Sequence, residues 1–329
     1  ATGRPEVEST FFATGGGQEC EAGAFGGGPD GLLAGALGHG GGRRPDGDDL
    51  VGIGGVYGRL KPGQSKRLKG QTREALDDSE RFRKVCQTLR SKGRWPRKSF
   101  KYDICEIFGG DAGVSIRATA WGLRAMQPID IRYGINLRQR ATRRWLLRKL
   151  EEWNVRLVLV EFPCTPWSIL QSNCNYKDRP EELEALREAD RPFLRLTREI
   201  FAAQVARGAH ALAENPATAA SHSEADIVWL RERFFETTSN LCMFGLVGHG
   251  GQPMKKLVRF IGTHPALIEE LARLCDGSHE HERAEGSNTA RSAVYPPDLG
   301  DAVCRGLWRI VEEEDFGTKI SFEDARGCN

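Results

Sequence analysis

The sequence lacks any run of 18 apolar residues, and only 39% of its 329 residues are hydrophobic. A helix that spans a membrane needs about 20 consecutive apolar residues, so no membrane span is expected. The N-terminal residues also lack the apolar core of a secretory signal peptide. These absences argue against a membrane protein and predict a soluble, intracellular one.

The shortage of apolar residues is concentrated at the start of the chain. Residues 1–55 contain 18 of the 39 glycines, which leaves 21 for the remaining 274 residues. Such a segment cannot bury enough apolar surface to offset the entropy lost on ordering it. We therefore predict that residues 1–55 are disordered. Because the sequence opens on Ala rather than Met, we also expect a fragment or a processed piece.

The net charge is only +2, but residues 59–101 hold 15 Lys or Arg against four acids, a local charge of +11. Such an excess is typical of a patch that binds nucleic acid or another polyanion. We interpret residues 56–100 as a basic helical segment, with Arg94, Arg97 and Lys98 as candidate nucleic-acid contacts. A solvated basic linker and helix would have the same composition and stays open as an alternative.

Cysteine is present at nine scattered positions. An odd number without regular spacing favours free thiols or a metal site over a disulfide framework.

Short apolar segments alternate with amphipathic helical segments over residues 101–315. Strands are predicted at 102–108, 125–131, 156–162 and 211–216, with a late hairpin of strands at 241–246 and 256–262. Helices are predicted at 138–153, 181–207, 227–235, 265–274 and 297–313. Strands that alternate with helices indicate an α/β domain with a doubly wound, mainly parallel sheet. Residues 316–329 remain as a tail.

The first candidate site follows the strand predicted at 102–108 and has the sequence FGGDAGVS, from Phe108 to Ser115. Glycines let the backbone approach a ligand closely, and the N-terminus of the following helix favours polar or anionic groups. Asp130 ends the next predicted strand, 17 residues beyond Gly113. An acid at that place suits hydrogen bonds from ribose hydroxyls. A tight strand–helix turn beside a surface acid would leave the same pattern.

The second candidate is Cys164, which lies between Pro163 and Pro166 directly after the apolar run VRLVLVEF. Proline cannot continue a strand ladder, so the strand ends there and presents the cysteine in a rigid turn. Glu214 also follows an apolar strand and is expected at the same carboxyl edge of the sheet, where α/β proteins bind ligands. A thiolate and a carboxyl group could divide nucleophilic and proton-transfer roles. A small buried cysteine and a capping or surface acid are the alternatives.

These stretches together resemble the cytosine-5 DNA methyltransferase family. Glu106–Ser115 is similar to its D-L-F-A-G-x-G-G-x-S loop, Pro163–Ser168 to its P-C-Q-x-F-S loop, and Glu214–Pro216 to its E-N-V strand end. Further along the chain, Gln252–Gly262 is similar to its Q-x-R-x-R strand and Ser292–Ala302 to its last motif, G-N-x-V-P-P-x-L-x-x-A. The shortened P-C-T-x-x-S form also resembles methyltransferase-like segments in the polyproteins of protist retroelements.

The resemblance implies a Rossmann-like, S-adenosylmethionine-dependent methyltransferase that acts on DNA in the nucleus, with possible fusion to other retroelement domains. Cys164 would add to C6 of a flipped-out cytosine, and Glu214 would donate a proton at N3. Lys255 and Lys256 would contact the nucleic acid. The cofactor contacts would be Phe108, Gly109, Gly110, Gly113, Asp130 and Pro163.

Several positions depart from the family pattern. Thr165 replaces a glutamine, Ala112 replaces a glycine in the cofactor turn, and Glu106 replaces an aspartate. The stretch between Gly262 and Ser292 is also too short for the usual target-recognition domain. An inactive or weakly active module that binds nucleic acid or S-adenosylmethionine, and an RNA cytosine methyltransferase, are therefore alternative functions.

A metal-ligand pattern lies outside the family resemblance. Its candidate ligands are Cys242, Cys275, His279 and His281, the last three within seven residues. Two cysteines and two histidines suit tetrahedral zinc, provided that the strand predicted at 241–246 lies near the later loop. A structural zinc would stabilise a C-terminal region with little core. Cys304 is a spare ligand, and an exposed polar loop with two incidental histidines is the alternative.

Overall fold

Five strands form an open sheet with an apolar centre. The computed structural model describes residues 100–284 and 286–316. Its strands are β1 (Tyr102–Ile107), β2 (Val155–Val160), β3 (His210–Pro216), β4 (Phe235–Asn240) and β5 (Leu257–Gly262). Their order across the sheet is β1-β2-β3-β5-β4. Every residue of β2 is buried, as expected for a central strand whose two faces are both covered.

The sheet is mixed rather than purely parallel. β1, β2 and β3 are parallel, whereas β5 is antiparallel to both of its neighbours, β3 and β4. β4 therefore points in the same direction as the first three strands. In this register Glu106 lies opposite Leu159, Val160 opposite Ala213, and Glu214 opposite Phe260. The predicted α/β class is confirmed, and the predicted mainly parallel sheet is a mixed one that begins with three parallel strands.

Helices cover both faces of the sheet. Within the described ranges the α-helices are α1 (Gly113–Ala120), α2 (Arg140–Trp153), α3 (Pro180–Ala206), α4 (Ala225–Arg231), α5 (Pro265–Leu271), α6 (Ser287–Ser292) and α7 (Pro297–Val311). Apolar side chains of α1, α5 and α7 pack on one face of the sheet. Those of α2, α3 and α4 pack on the other face. The predicted helices at 138–153, 181–207 and 297–313 are confirmed with small shifts at their ends.

The prediction of a strand at 125–131 is wrong. This segment meets β1 at only two isolated bridges, Ile104 with Ala125 and Ile107 with Ile129. Pro128 lies between them and has no N–H to donate, which interrupts a continuous ladder. The segment still runs parallel to β1 on its outer side.

The predicted end of the domain needs a second correction. Residues Leu241–Phe244 form a 3₁₀ helix rather than a strand, and the helix ends at Gly245, whose φ is 80°. The helix predicted at 227–235 ends earlier, because α4 stops at Arg231 and β4 begins at Phe235. The late antiparallel pair is therefore formed by β4 and β5.

Several predictions fall outside the described residues. These are the disordered segment 1–55, all but the last residue of the basic segment 56–100, the contacts Arg94, Arg97 and Lys98, and all but the first residue of the tail 316–329. Within the described ranges, no helix is long and apolar enough to cross a membrane. Five of the cysteines there are free thiols, as expected, whereas Cys174 is disulfide-bonded.

Candidate functional site

The candidate site lies at the edge of the sheet where β1, β2, β3 and β4 end and β5 begins. From β1 the chain continues to residues 125–131 on the outer side of β1, whereas β2 lies on its inner side. Open α/β sheets bind ligands in the crevice formed where the order of strands reverses in this way. The loop after β1 and the turn after β2 flank that crevice.

The glycine loop after β1 has a tightly constrained backbone. Phe108 and Ala112 have positive φ values of 61° and 58°, a conformation that costs a residue with a side chain about 1–2 kcal/mol. At Gly109 an added Cβ would lie 2.6 Å from the Cβ of Glu106, so no larger residue fits there. Ala112 therefore sits at a position that favours glycine.

The carboxylate of Glu106 lies beneath this loop and caps α1. It accepts hydrogen bonds from the backbone N–H groups of Val114 at 3.1 Å and Ser115 at 2.6 Å. The first turn of α1, which includes Gly113, therefore already has an acid partner inside the protein. A ligand would contact the outer part of the loop at Gly110, because Gly109 is buried.

Asp130 is brought to the same loop, as its predicted role requires. Its carboxylate accepts hydrogen bonds from the backbone N–H groups of Gly110 at 3.3 Å and Arg132 at 2.8 Å. The guanidinium of Arg132 also pairs with Asp111 at 2.6 Å, and both of these side chains are exposed. Each oxygen of Asp130 retains a second lone pair that could accept a ligand hydroxyl.

Cys164 occupies the turn that follows β2. The Thr165–Trp167 segment forms a 3₁₀ helix, in which the N–H of Trp167 donates to the carbonyl of Cys164 at 3.0 Å. Arg187 of α3 donates to the carbonyl of Pro166 at 3.1 Å and so fixes the turn. Burial raises the pKa of the Cys164 thiol and the charge of Glu214 raises it further, whereas the positive charge of Lys256 lowers it.

Glu214 ends β3 next to this turn. The hydroxyl of Tyr295 donates to Glu214 Oε2 at 2.6 Å. Glu214 Oε1 is buried and has no hydrogen-bond partner within the described part of the chain. The next residue, Asn215, donates from Nδ2 to the carbonyl of Phe162 at 3.0 Å. β3 thus positions the loop that carries Pro163 and Cys164.

Glu161 belongs to the same cluster and was not among the predicted site residues. Burial raises its pKa well above the usual range, and the charges of Glu106 and Glu214 act in the same direction. Glu161 also shares a hydrogen bond with Glu106. Because two backbone N–H groups stabilise the Glu106 carboxylate, the shared proton resides on Glu161. An acid directly after the apolar run of β2 was the signal that could have identified it.

Lys256 reaches the site from the start of β5. It is half-buried, and its ammonium donates to the carbonyl of Ser292 at 3.1 Å. Lys255 is exposed. Desolvation and the charge of His279 lower the pKa of His281, and the charge of Lys255 adds to this effect. Of the predicted nucleic-acid contacts in the described ranges, one therefore faces Cys164 and the other faces the histidine loop.

The four predicted metal ligands converge. The ligand atoms of Cys242, Cys275, His279 and His281 all lie within 4.8 Å of one another. Cys275 Sγ lies 3.6 Å from His279 Nε2 and 3.4 Å from His281 Nε2. A tetrahedral site with ordinary zinc bonds to sulfur and nitrogen requires about 3.5 Å between such atoms. The group could hold a metal ion, and Cys304 is instead buried in the core around α7.

Comparisons with known proteins add no identification. No protein-family model matches the sequence, and no curated protein matches it.

Proposed function

We propose that the chain is a divergent DNA cytosine-5 methyltransferase in which Cys164 is the nucleophile. The observation that carries the proposal is the buried, unpartnered Oε1 of Glu214 beside the Cys164 turn. A buried carboxylate oxygen without a partner is costly, unless a ligand donates a hydrogen bond to it. The protonated N3 and the amino group of cytosine are donors of that kind.

Residues at the glycine loop would hold S-adenosylmethionine. Gly109 lets the loop pass close to Glu106, Gly110 offers partly exposed backbone, and Asp130 offers carboxylate oxygens for ribose hydroxyls beside Gly110. Phe108 and Pro163 lie on the two loops that flank the crevice. When bound, S-adenosylmethionine supplies an electrophilic methyl group.

The two catalytic side chains have complementary tasks. The sulfur of Cys164 forms a bond to C6 of cytosine, while Glu214 holds a proton at N3, and together they make C5 nucleophilic. After C5 has gained the methyl group, a base removes the C5 proton and the bond between sulfur and C6 breaks, which restores the thiolate. Tyr295 orients Glu214 through its hydrogen bond to Oε2.

Lys255 and Lys256 are the proposed nucleic-acid contacts within the described ranges. Extrusion of the target base costs a few kcal/mol, which contacts with DNA must supply. The basic segment with Arg94, Arg97 and Lys98 is proposed to add electrostatic affinity.

For the metal group we propose a structural zinc ion. Four protein ligands of the Cys₂His₂ type complete a tetrahedral coordination and leave no position for substrate. Sulfur and imidazole ligands are also those that zinc prefers. The ion would therefore stabilise the region between β4 and α6 rather than take part in methyl transfer.

One observation favours a second function, a module that binds nucleic acid or S-adenosylmethionine with little activity. The thiolate is the reactive form of cysteine, and burial raises the pKa of Cys164. Such a module would retain DNA affinity in Cys164→Ser. Its binding would lose its steep salt dependence on removal of residues 59–99.

The deciding experiment is covalent trapping on DNA that contains 5-fluorocytosine, in the presence of S-adenosylmethionine. The fluorine cannot leave as a proton does, so an active enzyme stays attached through Cys164. We expect an adduct with the wild type, none with Cys164→Ser, much less with Glu214→Gln, and a normal amount with the surface control Glu182→Gln. An adduct only with RNA would favour an RNA methyltransferase. If no cytosine substrate gives an adduct, the proposed methyltransferase activity is refuted.

A further inference from the structure

Lys256 connects the metal group to the Cys164 turn. Its carbonyl accepts a hydrogen bond at 2.9 Å from the N–H of Leu241, the residue before Cys242. Its ammonium donates to the carbonyl of Ser292 at 3.1 Å, and its positive charge favours the thiolate of Cys164. One residue therefore contacts the metal-bearing 3₁₀ helix through its backbone and acts on the candidate nucleophile through its side chain.

The loop that begins with Cys275 and carries three of the ligands contacts the end of β4 and the residues just before Lys256. The N–H of Cys275 donates to Asn240 Oδ1 at 2.9 Å, at the end of β4. The N–H of Glu282 donates to the carbonyl of Pro253 at 2.9 Å. Residues 253–256 thus lie between the 3₁₀ helix that carries Cys242 and the loop that runs from Cys275 to Glu282.

The side chain of Glu282 also contacts the loop of residues 248–252, which precedes Lys256 in the sequence. Its carboxylate accepts hydrogen bonds from the backbone N–H groups of Gly250 at 3.2 Å and Gln252 at 2.9 Å. At Gly248 an added Cβ would lie 2.1 Å from the same carboxylate. The backbone of residues 248–252 can approach Glu282 this closely only because glycine is present there.

The loop between Cys275 and Glu282 depends on the ligand group for its position. Residues 276–281 form no helix or strand, and the hydrogen bond from the N–H of Ser278 to Asp276 is local. His279 and His281 instead converge on Cys275. Without a metal, only weak sulfur–nitrogen hydrogen bonds hold Cys275 to the two histidines, so the loop and Glu282 should loosen.

We infer that a metal held by Cys242, Cys275, His279 and His281 fixes Lys256 beside the Cys164 turn, so that metal occupancy controls the reactivity of the Cys164 thiol. The charged groups that act on this thiol are Lys256, which favours the thiolate, and Glu214, which opposes it. Displacement of Lys256 leaves the opposing charge and the burial in place. The inference rests on the proposed role of Cys164, but its test requires only thiol chemistry.

The test measures how fast iodoacetamide alkylates Cys164 in the full chain, with peptide mass spectrometry to separate this cysteine from the others. The rate is followed from mildly acidic to alkaline pH, with zinc bound and after chelation. Chelation should slow alkylation near neutral pH on the order of fivefold, because loss of the nearby cation lowers the thiolate fraction. Lys256→Met with zinc bound should have a similar effect, and chelation should add nothing to it. The control Lys149→Met, on α2 where Lys149 pairs with Glu152, should alkylate like the wild type.

A second variant covers the case in which the chelated chain unfolds, as judged by circular dichroism. Glu282→Ala leaves all four ligands in place but releases Gly250 and Gln252. It should retain zinc and slow the alkylation of Cys164 by about twofold or more. Alkylation that is unchanged or faster in a folded zinc-free chain, or unchanged in Glu282→Ala, overturns the inference. Because the assay contains no nucleic acid and no methyl donor, failure of the proposed methyl transfer would not affect it.

Discussion

The buried ion pair of Arg117 and Asp301 joins α1, the helix after the glycine loop, to α7. Arg117 Nε and Nη2 donate to the two oxygens of Asp301 at 2.7 and 2.5 Å. Trp121 Nε1 donates to Oδ1 of the same carboxylate at 2.8 Å. Each side chain of the ion pair is 2% exposed. Asp301→Ala would therefore leave a buried guanidinium and a buried indole N–H without their acceptor.

We expect Asp301→Ala to lower the free energy of unfolding by about 3–5 kcal/mol, the usual cost of removing one partner of a buried ion pair. A whole domain is stable by only about 5–15 kcal/mol. Urea titration followed by circular dichroism should therefore show a large fall in the midpoint with little change in slope. Glu182→Ala is the matched control, because the Arg179–Glu182 pair is 57% and 58% exposed and should contribute at most about 1 kcal/mol.

The double variant Arg117→Met with Asp301→Leu tests the physical reason. Replacing both charges by apolar side chains removes the unpaired guanidinium, so the double variant should recover much of the lost stability. The reasoning is refuted if Asp301→Ala costs less than about 1 kcal/mol. It is refuted equally if the double variant is as unstable as Asp301→Ala.

Three further predictions follow from packing, titration and metal binding. At Gly306 an added Cβ would lie 2.9 Å from Leu267 Cα, so Gly306→Ala should lower the free energy of unfolding by about 1–3 kcal/mol in the urea assay, and a neutral effect would contradict the packing of α7 on α5. The folded chain holds the proton of Glu161 more tightly than the unfolded chain does, so wild-type stability should fall as the pH rises above the unfolded pKa of about 4.3. Glu161→Gln should therefore gain stability over the wild type toward alkaline pH, and a difference that does not change with pH would count against the buried acid. Metal analysis should find about one zinc per wild-type chain and none in Cys275→Ser. Chelation should lower the Tm of the wild type. If purified wild type contains no zinc and chelation leaves its Tm unchanged, the proposed site is disproved.

The sheet was predictable where burial leaves a continuous apolar signal. β2 is buried at every position, and its nearly continuous apolar sequence VRLVLV is typical of a central strand. β4, with the sequence FETTSN, lies at the edge of the sheet and is exposed at its first two residues. Its polar composition gave no signal, whereas the apolar LCMFGL beside it is buried outside the sheet as a 3₁₀ helix.

The candidate site was predictable where a residue marks the end of a strand. Cys164, Glu214 and Asp130 were identified because an apolar run stops beside each of them, which predicts a shared edge. Glu161 also follows an apolar run and could have been identified in the same way, whereas the role of Tyr295 depends on a contact with Glu214, 81 residues away in the sequence. Proximity of Tyr295 to Glu214 follows from the packing of helices that no local pattern encodes.

The antiparallel direction of β5 has a consequence for how this fold can change. Four strands deliver residues to the site as they leave the sheet, whereas β5 delivers Lys255 and Lys256 as it enters. The connection from the end of β4 to the start of β5, residues 241–256, lies wholly at the edge of the sheet where the site is. Leu241, Phe244 and Met254 of that connection are buried in the core, so residues can be added or removed only at its exposed tip, residues 249–252. The surface beside the candidate site could therefore diverge there while the sheet, the glycine loop and the cysteine turn stay the same.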